Sequence, residues 1–147
     1  MKRLRVMAQT LLFFFFLFFF FSFFLNQEQK SVLIAEVRDD RWPNQPDKRQ
    51  RADAHIRQRY DQILPNCPIP RLYGLSLLET SLRVYCGDKV TGEVIPHFVG
   101  RPNANRILPP DFLAGQWNLD ILFPDGLKKM QEIVAYIKAE AANVEGQ

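Results

Sequence analysis

The chain has 147 residues and a formal net charge of +3, a length that suits one modest hydrophobic core and argues against two. Lys2, Arg3 and Arg5 precede an apolar tract, so the remainder is nearly neutral and charge alone does not imply nucleic acid as a partner. Cys67, Cys86, His55 and His97 include no close C-x2-C or H-x3-H pair, which argues against a zinc centre.

Ten of the thirteen phenylalanines fall in LLFFFFLFFFFSFFLNQ, Leu11 to Gln27. A helix over Leu11 to Leu25 reaches about 22 Å, short of a hydrocarbon core of about 30 Å. Begun at Val6 it reaches about 30 Å and keeps Gln9 and Thr10 near the interface. A single membrane span over Val6 to Leu25 is therefore expected. The basic start MKRLR also fits a secretory signal, but the residues after Ser22 lack the small pair of a cleavage site, which favours an uncleaved signal anchor. Its charge would hold the N-terminus in the cytosol and send the rest to the lumenal or outer side. The competing reading is a translated intron: Phe and Leu codons are pyrimidine-rich, and Asn-Gln can be written AAC CAG, as an acceptor site ends. The protein would then be cytoplasmic or nuclear. Residues 1–30 form this basic, Phe-rich segment, and 31–147 a single globular domain.

Ser31 to Val37 (SVLIAEV) is a short apolar run rich in β-branched residues and reads as a buried strand. Pro43 and Pro46 break the connector that follows, and Asp47 is the expected cap of an amphipathic helix over Lys48 to Leu64, with Ala52, Ile56, Tyr60 and Ile63 on its apolar face. Its other face carries Lys48, Arg49, Arg51, Arg57 and Arg59 against Asp53 and Asp61, a solvated surface first and a phosphate-contacting one second. Pro65, Pro68 and Pro70 end it. Arg71 to Tyr85 reads as two strands broken near Glu79, and Asp88 to Gly92 as a hairpin turn leading to Val94 and Ile95. A loop from Gly100 to Pro110 precedes Phe112 to Leu122, where Trp117, Leu119 and Ile121 alternate. A last helix from about Asp125, its expected N-cap, aligns Leu127, Met130, Ile133, Val134 and Ile137, and fraying is expected beyond Ala142. The predicted class is α+β: a small mixed sheet with one helix after the first strand and one at the C-terminus, preceded by the hydrophobic N-terminal helix.

Period two projects Glu36 and Arg38 from one face of the first strand, with Asp40 next. An apolar strand ending Glu-Val-Arg, then a basic helix and a hairpin, resembles the PD-(D/E)XK nuclease superfamily over Ser31 to about Tyr85. The resemblance implies Glu36 as a Mg²⁺ ligand and residue 38 as the partner of the attacking water. Two departures oppose catalysis. No Asp or Glu precedes Glu28, and Arg38 stands where the family has Lys, a side chain that holds phosphate but stays protonated. One carboxylate, even assisted by Asp40, holds Mg²⁺ poorly. The expectation is a non-catalytic, truncated or decayed nuclease-like domain. The alternative is a Mg²⁺-dependent nuclease or nucleic-acid-binding module whose N-terminal half is missing from this chain, binding through Arg38 and the Lys48 to Arg59 face. PRLYGLSLLETSLRVYCGDKVTGEVIP, with the later WNLDIL, is similar to uncharacterised proteins of mushroom-forming fungi over most of Val32 to Ile137, a likeness that implies an origin and a layout but no activity.

The plainer role for Glu36 is a strand-end carboxylate paired with Arg38 or Arg41, contributing at most about 1 kcal/mol if exposed. A Cys67 to Cys86 disulfide would stabilise by about 3 kcal/mol in an oxidising compartment, whereas the cytosol would leave two thiols. His97 with Ser76 or Ser81 lacks the G-x-S-x-G elbow of a hydrolase, and neither a P-loop nor a dinucleotide fingerprint is present.

Overall fold

A computed structural model describes residues 30–39 and 42–146. The Phe-rich segment, with the span expected over Val6 to Leu25, lies outside them, and so does Asp40. Among the described residues no helix is long and apolar enough to cross a membrane.

The elements run β1 (Leu33–Arg38), α1 (Pro46–Ile63), a 3-10 turn (Leu64–Asn66), β2 (Arg71–Leu78), β3 (Ser81–Asp88), β4 (Val94–Ile95), β5 (Leu119–Asp120) and α2 (Pro124–Glu145). The class is α+β. β1 pairs parallel with β2 (Glu36 opposite Ser76), and α1 makes the crossover that a parallel pair needs. β2 and β3 are antiparallel over their full lengths, from Arg71 opposite Asp88 to Leu78 opposite Ser81. The far edge of β3 is shared by β4, beside Cys86 and Gly87, and β5, beside Ser81 and Leu82. β1 lies at the other end of the strand order, hydrogen-bonded to β2 alone among the described residues.

Alternation along the strands assigns the two sheet faces to the two helices. Gly74 lies under Tyr60 of α1, whereas the ring of its neighbour Tyr73 meets Tyr136 of α2 edge-on, centroids 5.5 Å apart. Ala52, Ile56 and Tyr60 are buried from α1, and Met130, Ile133 and Ile137 from α2. With the sheet between them the molecule has three layers. Leu108, Phe112 and Leu113, with Trp117 against them, form a second small apolar cluster under the long loop.

The helix starts differ from expectation. Asp47 does not cap α1: Gln45 is the N-cap, extended and without a side-chain cap bond, and Pro46 is the first helical residue. α2 repeats the arrangement with Phe123 as N-cap and Pro124 following, so Asp125 is not the cap. Proline suits this position because its fixed φ is already helical and its missing N–H is one that the first turn leaves unpaired. The acids then sit inside the first turn, where the helix dipole favours them. α2 also continues to Glu145, past the expected fraying point, and of the stretch read as alternating only Leu119–Asp120 forms a strand.

Candidate functional site

Glu36 and Arg38 share the face of β1 turned toward α1, as period two requires. The Glu36 side chain is only 11% exposed, and three basic groups surround it: Arg38 Nη2 at 3.8 Å and His55 Nδ1 at 3.9 Å from Oε2, and Arg59 Nε at 3.9 Å from Oε1. None of these contacts is a hydrogen bond at such distances, and among the described residues Oε2 has no hydrogen-bond partner. Arg38 Nη2 instead donates to His55 Nδ1 at 2.8 Å. These groups, with Gln58 and Gln62, line an open cleft of about 490 Å³ between the end of β1 and the flank of α1.

That surrounding decides the fit of a metal. A magnesium ion prefers carboxylates and phosphates, and here it would meet two guanidinium groups and an imidazole against the same carboxylate. The described residues contain no group of three or more His, Cys, Asp or Glu able to hold a metal. The Mg²⁺ site that the nuclease resemblance implies does not fit the side chains around Glu36.

The five basic residues singled out on α1 divide into two sets. Lys48, Arg51 and Arg59 lie with His55 at intervals of three, four and four, which is one stripe of a helix. His55 and Arg59 are more than half exposed, and Arg51 is exposed. Trp42 stands at the start of the stripe, its ring 5.1 Å from the Arg38 guanidinium and 5.3 Å from Lys48 Nζ. Arg49 and Arg57 turn the other way. Arg49 is buried and donates to three carbonyls, Phe112 at 2.9 Å and Pro43 and Pro110 at 2.7 Å each, pinning the long loop to the start of α1. Arg57 donates to Asp53 Oδ2 at 2.9 Å and to the Pro96 carbonyl at 2.7 Å.

A polar network under α1 escaped the sequence reading. Asp53, 3% exposed, accepts from Arg83 Nη1 and from the Tyr85 hydroxyl, each at 2.8 Å, besides Arg57. The Arg83 guanidinium lies 4.8 Å from the Tyr85 ring and 5.3 Å from that of Trp117. Trp117 Nε1 in turn donates to Ser76 Oγ at 3.2 Å. Burial, then the Asp53 carboxylate, raises the Tyr85 pKa, so the phenol stays protonated and donates. Charges so enclosed brace the helix against the sheet, and the long-range pairs join residues about thirty apart in sequence. A local signal did exist: Arg49, Asp53, Ile56 and Tyr60 fall at i, i+4, i+7 and i+11, which places both charges on the buried face.

On the opposite sheet face a cleft of about 610 Å³ is lined by Arg71, Tyr73, Cys86 and Lys129 among others. Cys86 and Cys67 are both free thiols. Burial raises the pKa of each, which keeps them protonated and makes them poor nucleophiles near neutral pH.

No family model, curated protein or solved structure matches this chain.

Proposed function

We propose that the domain is a nuclease-like fold that keeps a phosphate-binding surface without metal-dependent cleavage, and that its ligand is nucleic acid. The observation that carries this reading is the ratio of charges at Glu36: one carboxylate faces two guanidinium groups, Arg38 and Arg59, and the positive excess continues along α1 through Arg51 to Lys48. One carboxylate leaves this cluster with a net positive charge, and the forked donors of guanidinium groups suit phosphate oxygens. From Lys48 to Arg59 the stripe is about 16 Å long, enough for two or three successive phosphates.

The test is binding of single-stranded nucleic acid across a salt series. With Lys48, Arg51 and Arg59 each neutralising one phosphate, log K should fall with log salt at a slope of about −2, and replacing any one of the three by Ala should reduce that slope by about 0.7. No retardation at low salt rejects the reading. Mg²⁺-dependent cleavage abolished by Glu36→Ala would restore the nuclease alternative.

A second reading is carried by MKRLR and the apolar run behind it: a single-pass membrane protein anchored through Val6 to Leu25. With the N-terminus cytosolic, the domain would lie on the lumenal or outer side, away from nucleic acid. Retention in membranes after alkaline carbonate washing, with the domain protected from added protease, favours the anchor. Release by carbonate favours the nucleic-acid reading.

A further inference from the structure

We propose that the cleft beside β1 prefers RNA to DNA because the Glu36 carboxylate accepts a hydrogen bond from a ribose 2′-hydroxyl. The inference rests on the phosphate-binding reading above and adds the sugar that the site selects.

A carboxylate inside a phosphate site repels every polyanion, so Glu36 lowers affinity unless the ligand brings a donor to it. Glu36 has the capacity to accept one: among the described residues Oε2 has no hydrogen-bond partner, and a buried acceptor left so carries a desolvation cost that a ligand hydroxyl removes. The position also suits the backbone of RNA. Arg38 and His55 lie 3.8 and 3.9 Å from Oε2, and Arg59 lies 3.9 Å from Oε1. A phosphate held by those guanidinium groups therefore has its own sugar beside the carboxylate. Arg38 is 30% exposed at its side chain, and movement of its guanidinium outward onto a phosphate uncovers the acceptor beneath it. Among the groups next to a backbone phosphate, the 2′-hydroxyl is the donor that RNA has and DNA lacks. DNA thus meets the repulsion alone, whereas RNA meets it together with a charge-assisted hydrogen bond.

The experiment uses the full chain in mild detergent and fluorescence anisotropy at low salt, with three single strands of one sequence: RNA, DNA and fully 2′-O-methylated RNA. RNA is expected to bind about ten-fold more tightly than DNA, the effect of one hydrogen bond to a charged group. The 2′-O-methyl strand, which keeps the RNA sugar but cannot donate, should bind like DNA. Glu36→Ala should raise affinity for DNA and bring the RNA to DNA ratio close to one, with an unchanged circular dichroism spectrum as the folding control. Equal binding of RNA and DNA by the native chain overturns the sugar preference while leaving phosphate binding intact, as does tight binding of the 2′-O-methyl strand. Binding of none of the three overturns both readings.

Discussion

Asp53 and Glu36 both face arginines from the inner side of the sheet and helix, yet removing them should have opposite consequences. Asp53 is buried and makes hydrogen bonds of 2.8 to 2.9 Å to Arg83, Tyr85 and Arg57. Arg83 is 2% exposed, and its Nε already lacks a partner among the described residues. Asp53→Ala strands that guanidinium in the interior, and equilibrium urea unfolding should show a loss of about 3 to 5 kcal/mol. Glu36 meets its three bases at 3.8 to 3.9 Å without hydrogen bonds, at the mouth of an open cleft. Glu36→Ala removes an acceptor that makes no hydrogen bond and leaves Arg59 and His55, both more than half exposed, in contact with water, so stability should change by less than about 1 kcal/mol, which makes the variant usable in binding assays. A comparable loss for both variants would show that the Glu36 cluster is a structural brace. The sequence distinguishes these carboxylates poorly. Asp53 reads as one of two acids among five bases on a charged helix face, because its partners Arg83 and Tyr85 come from a strand whose proximity only the tertiary fold creates.

At the scale of elements, hydrophobic periodicity was enough to find both helices and three long strands, since burial of one helix face or of alternate strand residues is written locally. Ends and close approaches were harder to read. Pro46 reads as a break in the connector, yet it is the first residue of α1, as Pro124 is of α2. Gly74, read within a strand, and Gly87, read just past the end of the next, both lie in the sheet and mark where α1 meets it. A Cβ on Gly74 would lie 2.7 Å from Tyr60 Oη, and one on Gly87 would lie 2.7 Å from Tyr60 Cε1. The sheet also fixes the ring's hydroxyl, which donates to the Leu72 carbonyl of β2 at 2.9 Å. The two glycines let one ring lie flat over neighbouring strands, a use of strand glycine that a single sequence does not announce. Gly74→Ala should therefore cost about 1 to 3 kcal/mol through overpacking. Tyr60→Leu, which removes the ring, should make a following Gly74→Ala nearly neutral. The double-mutant cycle in urea would show a coupling of at least about 1 kcal/mol, and strict additivity would mean that the helix shifts to admit the methyl.

For the whole molecule, the three-layer α+β arrangement follows from element order: a strand, a helix crossing over, a hairpin, then a second helix for the uncovered face. What that order does not convey is how many ionisable groups the layers enclose, and these govern behaviour at high pH. Tyr60 and Tyr85 lie between α1 and the sheet, and burial raises the pKa of both phenols well above 10. Cys67 is fully buried and its thiol is raised as well. In the unfolded chain the thiol ionises at about 9 and the phenols at about 10. Above those values the unfolded state binds fewer protons than the folded one, so stability falls as pH rises. Stability from these groups is fully present below about pH 8, where both states hold the protons, and declines through pH 9 to 11 because the folded phenols have not begun to ionise. Once the pH exceeds the unfolded value, each group should contribute a fall of about 1.4 kcal/mol per pH unit. Urea midpoints measured between pH 8 and 11 should decline accordingly, and Tyr60→Phe should flatten the decline. Tyr85→Phe should also flatten it while lowering stability at every pH, because it removes the hydrogen bond to Asp53. A native chain with a constant midpoint over this range would mean that the phenols ionise freely in the folded state, and that α1 does not seal against the sheet.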